Sequence, residues 1–342
     1  MRLTNEMKNK MTEEELMEYL ERNKWKNRLA TIISDWRLYL MLLPLVVVFF
    51  CWKYLPMYGL IIAFKDFNPV TGITESPFVG IYNFHTLMFG AHSASFWRAF
   101  RNTFVLSFYG LLFGFPFPII LALFFSEIKS NFLRGALQVF TYLPKFISTV
   151  VTTTIIAMLL KNGNDDYNMA PGVLSQLFLF LGVPNGAGLL REASAFRAIY
   201  HVSGIWEGAG YGSIVYFASI MGISPTNYEA ARIDGANKMS QIRYVTLPGM
   251  SSTLVIMLIL RIGSLLDVGY EKIILLFEAA GNSNVLYETA EVLSTFSYRV
   301  GIAADGGEGV AAASDFFNAI IAMLLVIGSN MISRRVSDTS LY

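Results

Sequence analysis

The stretch Ser224–Pro248 reads SPTNYEAARIDGANKMSQIRYVTLP and lies between two long apolar stretches of the chain. Thr226 and Glu229 have the spacing of an N-cap residue and its N3 partner, which predicts a helix that begins at Thr226. Glycine adopts the left-handed conformation most easily, so Gly235 predicts the end of that helix. A short helix closed by a sharp turn is therefore expected here.

The rest of this stretch predicts a second helical segment. That segment follows Asn237 and runs toward Pro248, which suits the first turn of the next membrane helix. Ala230 and Ala231 lie on the first helix, and their small side chains let another backbone approach closely. Because alanines add little to solubility, they indicate a docking surface for another protein.

Composition places the chain among membrane proteins. Hydrophobic residues make up 54% of it, charged residues 15%, and its mean hydropathy is +0.49. A net charge of +1 provides no broad basic surface, which argues against nucleic acid as a partner. The single cysteine, Cys51, has no partner for an internal disulfide and is expected to be a small buried hydrophobic residue.

Six apolar runs reach the ~20 residues that a helix needs to cross a bilayer. They are Leu38–Phe64, Phe100–Phe125, Gly135–Leu160, Ala198–Ile223, Gly249–Ile273 and Val310–Ile332. Val173–Val183 is apolar but too short, so it is predicted to be an interfacial or packed helix. The expected fold class is an all-α, polytopic membrane helical bundle of about six transmembrane helices.

Lys and Arg are concentrated at the two ends of the chain and in the segments after the second and fourth runs. Since positive charge near a span is retained in the cytoplasm, both termini are predicted to be cytoplasmic. The expected domains are a cytoplasmic arm over 1–37, a six-helix membrane domain over 38–333 and a cytoplasmic tail over 334–342. The stretch 224–248 is then a cytoplasmic loop.

The amino-terminal arm has one local helix signal. Thr12 and Glu15 have capping-box spacing, and Leu16 and Leu20 fall on one helical face. The arm is therefore either a short helix on the inner membrane surface or a solvated tail.

Polar side chains inside the predicted spans are the candidates for a transport route, because ionisable groups there usually face a cavity or a partner. These candidates are Ser203, Trp206, Glu207, Tyr211, Arg261, Ser264, Asp267, Tyr270 and Glu271. Ser203, Glu207 and Tyr211 share one helical face, next to a face of Gly204, Gly208 and Gly212 that suits close packing. Arg261, Ser264, Asp267 and Glu271 are expected to share another face. The two aromatic candidates, Trp206 and Tyr270, are expected to offer stacking faces to a sugar ring.

The alternative for these residues is structural, with Arg261 paired to Asp267 or Glu207 to hold helices together, and with Trp206 at a subunit boundary. The histidines His85, His92 and His201 are too scattered to predict a metal site. No phosphate-binding loop of the form G-x-x-x-x-G-K-[ST] occurs in the chain.

The sequence EAARIDGA followed by VTLP resembles the EAA loop of permease subunits from binding-protein-dependent ABC importers. The resemblance covers roughly Leu38 to the carboxyl end and is closest to the oligosaccharide branch. The stretches that carry it are YLPMYGLIIAFKDFNP, SPFVGIYNF, RNTFVLSFYGLLFGFPFPIILALFFSEI, YLPKFIS, IWEGAGYGSIVYFASIMGISPTNYEAARIDGA and NMISRRVSDTSLY.

This resemblance implies a type I importer permease with the MetI-like fold, in a bacterial inner or cytoplasmic membrane. By resemblance, the loop is a coupling helix whose residues are Tyr228, Glu229, Ala230, Ala231, Asp234, Gly235, Ala236, Leu247 and Pro248. The implied partners are a second, unlike permease subunit, two ATP-binding subunits, an extracellular solute-binding protein and an oligosaccharide. ATP and Mg are expected on the ATP-binding subunits, so this chain is expected to bind no cofactor and not to be an enzyme.

Two other classes remain as alternatives. A secondary transporter is expected to show internal repeats with paired broken helices, and no such halves are recognisable. An intramembrane enzyme needs a nucleophile with a base, or a metal pair, and none has suitable spacing.

Overall fold

The computed structural model describes residues 33–161, 163, 170–183, 186–281, 286–303 and 306–336. Apart from an isolated β-bridge between Lys65 and Phe78, the regular structure in these ranges is helical. The α-helices are α1 (Trp36–Phe49), α2 (Gly72–Glu75), α3 (Tyr82–Met88), α4 (Ser93–Leu112), α5 (Pro116–Glu127), α6 (Asn131–Tyr142), α7 (Thr149–Leu159), α8 (Val173–Phe180), α9 (Ala193–Met221), α10 (Pro225–Ile233), α11 (Lys238–Gln241), α12 (Leu247–Gly249), α13 (Ser251–Gly263), α14 (Tyr270–Ala279), α15 (Tyr287–Ala290), α16 (Leu293–Gly301) and α17 (Glu308–Val336). The π-helical segments are Phe50–Tyr54 and Ile242–Thr246, and the 3-10 segments are Leu55–Phe64, Leu143–Phe146 and Gly186–Arg191.

The chain divides into two compact units, Met1–Ile61 and Ile62–Tyr342. The first unit contains α1 and the π-helical segment after it, whose large apolar side chains are exposed. Cys51 lies in that segment and is exposed as well, so the expectation that it is buried is wrong for this chain by itself. An apolar helix with an exposed surface is typical of contact with lipid. The predicted arm over 1–37 falls almost wholly outside the described residues, as does most of the predicted tail over 334–342.

Three helical segments of the described chain are long and apolar enough to cross a membrane: Trp36–Phe64, Ser93–Glu127 and Glu308–Ile332. Two further helix pairs pass the same test only if each bent pair is one span, which gives up to five. α9 has 29 residues and is long enough, but its glycines and Glu207 make it less apolar. The chain is thus a multi-pass helical membrane protein, as predicted.

Two of the predicted spans are broken rather than straight. Asn131–Phe146 and Thr149–Leu159 meet at 99°, and the first of them ends in a 3-10 turn that contains Pro144. Ser148 then caps α7 by accepting a hydrogen bond from the Val151 amide. A new helix therefore starts in the middle of the predicted third span, because proline and a serine cap favour a break over continuation.

The predicted fifth span, Gly249–Ile273, is also wrong as one continuous helix. Lys238–Gly249 and Ser251–Gly263 meet at 67° around Met250. α13 then ends at Gly263, and a turn leads to α14, which begins at Tyr270. Polar residues of this region consequently lie on a helix end, a turn and a second helix.

The second unit is organised around α9. Its most extensive contacts are with α5, and it also packs against α6. A Cβ atom at Gly210 would overlap the backbone carbonyl of Thr141, so α6 and α9 approach each other as closely as a glycine allows. Gly210, and not the predicted face of Gly204, Gly208 and Gly212, provides this close packing.

Three apolar clusters stabilise the second unit. One joins α9, α14 and α7, the second joins α4, α16 and α17, and the third joins α5, α9 and α13. Between the first two clusters, Glu291 is fully buried and forms ion pairs with Arg98 at 2.8 Å and Arg299 at 2.5 Å. This buried carboxylate connects α4 to α16, since a buried charge must be paired to be tolerated.

Candidate functional site

The segment between α9 and α13 folds as a helix, a turn and a second helix. α10 begins with Ser224 as the N-cap residue and Pro225 at the first helical position. The predicted N-cap, Thr226, lies inside the helix, where its hydroxyl is 2.8 Å from that of Ser224. The predicted helix is therefore present but starts two residues earlier, because the proline is prearranged for the first turn.

The end of α10 is closed as predicted. Gly235 has φ +81°, in the left-handed region that favours glycine. Its amide donates to the Arg232 carbonyl at 3.1 Å, and the Ala236 amide donates to the Ala231 carbonyl at 2.8 Å. These two bonds form a Schellman motif, which fixes the direction in which the chain leaves the helix.

The second helical segment is held onto the first. Asn237 caps α11, and the Gln241 side-chain amide donates to the Ala236 carbonyl at 2.9 Å. The hydroxyls of Tyr228 and Thr246 are 3.1 Å apart, which joins α10 to the π-helical segment before α12. The two helices are thus one ordered unit rather than a flexible connection.

Part of this unit is left free for contact. Glu229, Ala230 and Asp234 are exposed, whereas Ala231 and Ala236 are half-buried. Within the described residues the Glu229 carboxylate forms no hydrogen bond or ion pair. Leu247 packs against the apolar cluster of α5, α9 and α13, and Pro248 is exposed at the start of α12.

Three large apolar side chains of the unit are also exposed. Ile233 is 87% exposed, Met239 71% and Tyr244 70%. Apolar side chains on a surface that also carries charges and an ordered turn are typical of a protein-binding site. Lys238 adds an exposed ion pair, at 2.6 Å, with Glu127 at the end of α5.

A cavity of about 550 Å³ opens between α4, α5, α9 and α13. Of the predicted route residues, Glu207, Arg261, Ser264 and Asp267 line it. Its wall also contains Gly204, Gly208 and Gly212, so the predicted packing face of α9 borders the cavity. Of these three glycines only Gly212 is closely packed, with Pro118 of α5 3.3 Å from where its Cβ atom would be. A Cβ atom at Gly208 would meet no atom within 4 Å.

The remaining predicted route residues do not line this cavity. Ser203 is buried and donates to the Tyr200 carbonyl at 3.1 Å. Trp206 and Glu271 are exposed elsewhere. The Tyr211 ring lies 5.9 Å from the Phe146 ring, and the Tyr270 ring 5.2 Å from the Tyr298 ring. Arg261, Ser264 and Asp267 line the same cavity, but they and Glu271 do not form the predicted helical face, because α13 ends at Gly263.

An ion pair lies in the cavity wall. The Lys272 ammonium is 3.1 Å from the Glu207 carboxylate, with 9% and 15% of the two side chains exposed. Lys272 also lies over the Tyr200 ring at 5.7 Å. The proposed structural pairing of Glu207 with Arg261 is therefore wrong. Sequence reasoning did not single out Lys272, although it lies near the end of the predicted span Gly249–Ile273.

Arg261 lies at a different part of the wall. Its Nη2 atom is 3.7 Å from the position that a Cβ atom would take at Gly110, and the His201 Cε1 atom is 3.8 Å from the same position. The predicted pairing of Arg261 with Asp267 is also not seen, since the described part of the chain holds no ion pair of either residue. Within the same ranges, no three His, Cys, Asp or Glu residues group as a metal site.

The chain was compared with known proteins. No family model matches it. It is 33% identical over 322 residues to the polygalacturonan/rhamnogalacturonan transport system permease protein YteP of Bacillus subtilis (strain 168), covering 94% of this chain and 95% of that protein. It is 32% identical to protein LplB of the same organism, covering 92% and 93%. A further relative is the trehalose/maltose transport system permease protein MalF of Thermococcus litoralis, 30% identical over 65% of this chain and 71% of that protein.

Solved structures show the same similarity. A chain of a bacterial ABC transporter involved in the import of the acidic polysaccharide alginate is 38% identical, with a TM-score of 0.78, over 91% of this chain and 99% of that one. A second structure, of the alginate ABC transporter with a periplasmic protein bound to alginate pentasaccharide, gives the same identity and TM-score.

Proposed function

Since this chain belongs to the permease subunits of ABC sugar importers, we propose that it moves an oligosaccharide across a bacterial cytoplasmic membrane. The substrate would arrive on an extracellular solute-binding protein and pass through the cavity beside α9. The relatives named for polygalacturonan, alginate and trehalose/maltose support a saccharide substrate. Several hydroxyl groups around the cavity wall suit a ligand rich in hydroxyls.

The observation that carries the proposal is the ordered loop 224–248. Its first helix is closed by Gly235 and leaves Glu229 and the side chain of Ile233 exposed. A rigid element that follows α9 directly transmits a displacement into the bundle, whereas a flexible loop would absorb it. We assign the coupling role to this loop, with an ATP-binding subunit as the protein that docks on it.

The remaining subunits follow from this assignment. Two ATP-binding subunits would hold ATP and Mg, and a second, unlike permease would complete the membrane domain. This chain itself would bind no cofactor and catalyse no reaction. The loop would face the cytoplasm, which also places both termini there.

A crosslinking experiment tests the docking. In the complete transporter with Cys51 replaced by serine, Ile233→Cys is expected to crosslink to an ATP-binding subunit. Ile81→Cys is the matched control, because Ile81 is another isoleucine with 73% of its surface exposed. The control is expected to react with a membrane-impermeant thiol reagent from outside and to form no such crosslink.

Two results contradict the proposed function. One is labelling of Ile233→Cys from the outer side in intact cells. The other is a crosslink between the ATP-binding subunit and Ile81→Cys but not Ile233→Cys.

A further inference from the structure

The cavity has more positive than negative charge once its internal ion pair is set aside. The charged side chains that line it are Lys145, Arg261, Lys272, Glu207 and Asp267. Lys272 and Glu207 neutralise one another at 3.1 Å. The remaining charges are two cations and one carboxylate, and that carboxylate forms no ion pair within the described residues.

Arg261 is placed to meet a ligand. Its Nη2 atom lies beside Gly110, 3.7 Å from where a Cβ atom would be, so no side chain from this position of α4 covers the guanidinium. Over the described ranges the guanidinium donates no hydrogen bond and forms no ion pair. A guanidinium presents five N–H donors in a planar fork, which matches a carboxylate in two parallel bonds.

A cation inside a membrane bundle is costly unless a counter-charge meets it, and such residues usually mark the path of a ligand. We propose, on the basis of the proposed function, that the transported oligosaccharide is anionic and contains uronic acid residues. Arg261 receives a sugar carboxylate, and Lys145 adds positive charge at the same cavity. Arg261 is thus the residue that selects acidic over neutral sugars.

A neutral sugar explains the cavity less well. Hydroxyls of Ser264, Tyr200 and Tyr216 provide hydrogen bonds to any sugar. Such a ligand would leave the Arg261 guanidinium without an ion-pair partner, because Asp267 lines the same cavity but forms no ion pair within the described residues. A carboxylate supplied by a partner subunit would neutralise Arg261 instead, and the experiment below distinguishes that case.

The test measures binding to the transporter directly, without the solute-binding protein, because that protein selects sugars by itself. The complete transporter in nanodiscs is titrated with galacturonate and mannuronate trisaccharides and with the same trisaccharides as full methyl esters. At least one acidic trisaccharide is expected to bind about tenfold tighter than its ester.

Variants of Arg261 test whether this residue determines the selectivity for acidic over neutral sugars. Arg261→Gln is expected to weaken binding of the acidic probe about tenfold to a hundredfold, while the ester changes little, so that the two affinities converge. Arg261→Lys keeps a charge without the planar fork and is expected to lie between these values. Lys53→Met is the control, since it removes a cation from a membrane segment in the other unit of the chain.

Some outcomes overturn the proposal. One is that neither acidic trisaccharide binds, and another is that acid and ester bind with equal affinity. A third is that Arg261→Gln weakens the binding of both probes alike or of neither, which is the result expected if a carboxylate of a partner subunit neutralises Arg261. ATP-driven uptake of only neutral oligosaccharides would refute the anionic substrate and leave the proposed function intact. If the unmodified complex shows no ATP-dependent uptake of any oligosaccharide, the proposed function itself is contradicted. If Arg261→Gln does not fold, Arg261→Lys supplies the comparison.

Discussion

A single glycine sets how closely two membrane helices of this chain approach. Gly210 on α9 faces the Thr141 carbonyl on α6 with no room for a Cβ atom. Its neighbour on the same helix, Gly208, has open space at the equivalent position. Sequence spacing identified α9 as rich in glycine but did not single out Gly210 for the contact with α6, since spacing does not show which face meets a neighbouring backbone.

Gly210→Ala is expected to lower the free energy of unfolding by about 1–3 kcal/mol, because the added methyl group forces the two backbones apart. Gly208→Ala is the matched control and is expected to leave stability unchanged or to raise it slightly, since alanine favours the helix. Thermal unfolding in detergent measures both. Equal stability of the two variants would show that the α6–α9 contact tolerates a side chain.

The Lys272–Glu207 pair is a second residue-level case, because both side chains are largely buried. Lys272→Met or Glu207→Gln alone is expected to destabilise the chain by about 3–5 kcal/mol, since each leaves an unpaired buried charge. The double variant is expected to recover much of this loss. A double-mutant cycle on thermal unfolding gives the coupling, and additive losses would mean that the two charges act independently.

At the scale of elements, the loop 224–248 was predictable, and of the two bends the one near Pro144 has a local signal, the proline itself. The Ala236–Ala231 and Gly235–Arg232 bonds follow from a local signal, a glycine after a short helix, that is readable without tertiary contacts. The breaks near Pro144 and Met250 divide runs whose apolar length predicted straight spans. Apolar length reports only that a segment prefers lipid, so it does not distinguish one straight helix from two short ones.

The same limit of apolar patterns explains why the cavity was predicted only in part. Glu207 and Arg261 were identified as polar residues inside apolar runs, and both line it. The partner of Glu207 depended on the turn after Gly263, which brings Lys272 to it from a separate helix. Helical periodicity extended through that turn predicted a shared face that the backbone does not form.

Gly235→Ala is expected to destabilise the turn after α10 by about 1–2 kcal/mol, because the left-handed conformation is strained for any residue with a Cβ atom. The variant is expected to reach the membrane but to lose most coupling between ATP hydrolysis and uptake. Gly235→Asn is expected to retain more coupling, since asparagine tolerates this conformation.

Gly135→Ala on α6 is the control for Gly235→Ala, because Gly135 has open space and is not in the left-handed region. ATPase activity and uptake are measured in the same proteoliposomes. Normal coupling between ATP hydrolysis and uptake in Gly235→Ala would show that this turn is not needed to transmit force.

For the whole molecule, the assembly gives the most direct prediction. An affinity tag on this chain is expected to recover two ATP-binding subunits and one unlike permease for each copy of the chain. Native mass spectrometry measures the stoichiometry. A homodimer of this chain that is active in uptake without ATP would contradict the predicted assembly.

The continuity of α9 has a mechanical consequence. The helix runs unbroken over 29 residues, from Ala193 to Met221, ends three residues before α10 begins, and touches α6 at Gly210. The arms on either side of that contact are about 16 Å and 25 Å long, at 1.5 Å per residue. A stiff helix held at such a contact tilts about it. A push of about 2 Å at its Met221 end would move its Ala193 end by about 3 Å the opposite way, so the two ends of the helix would move in opposite directions across the membrane.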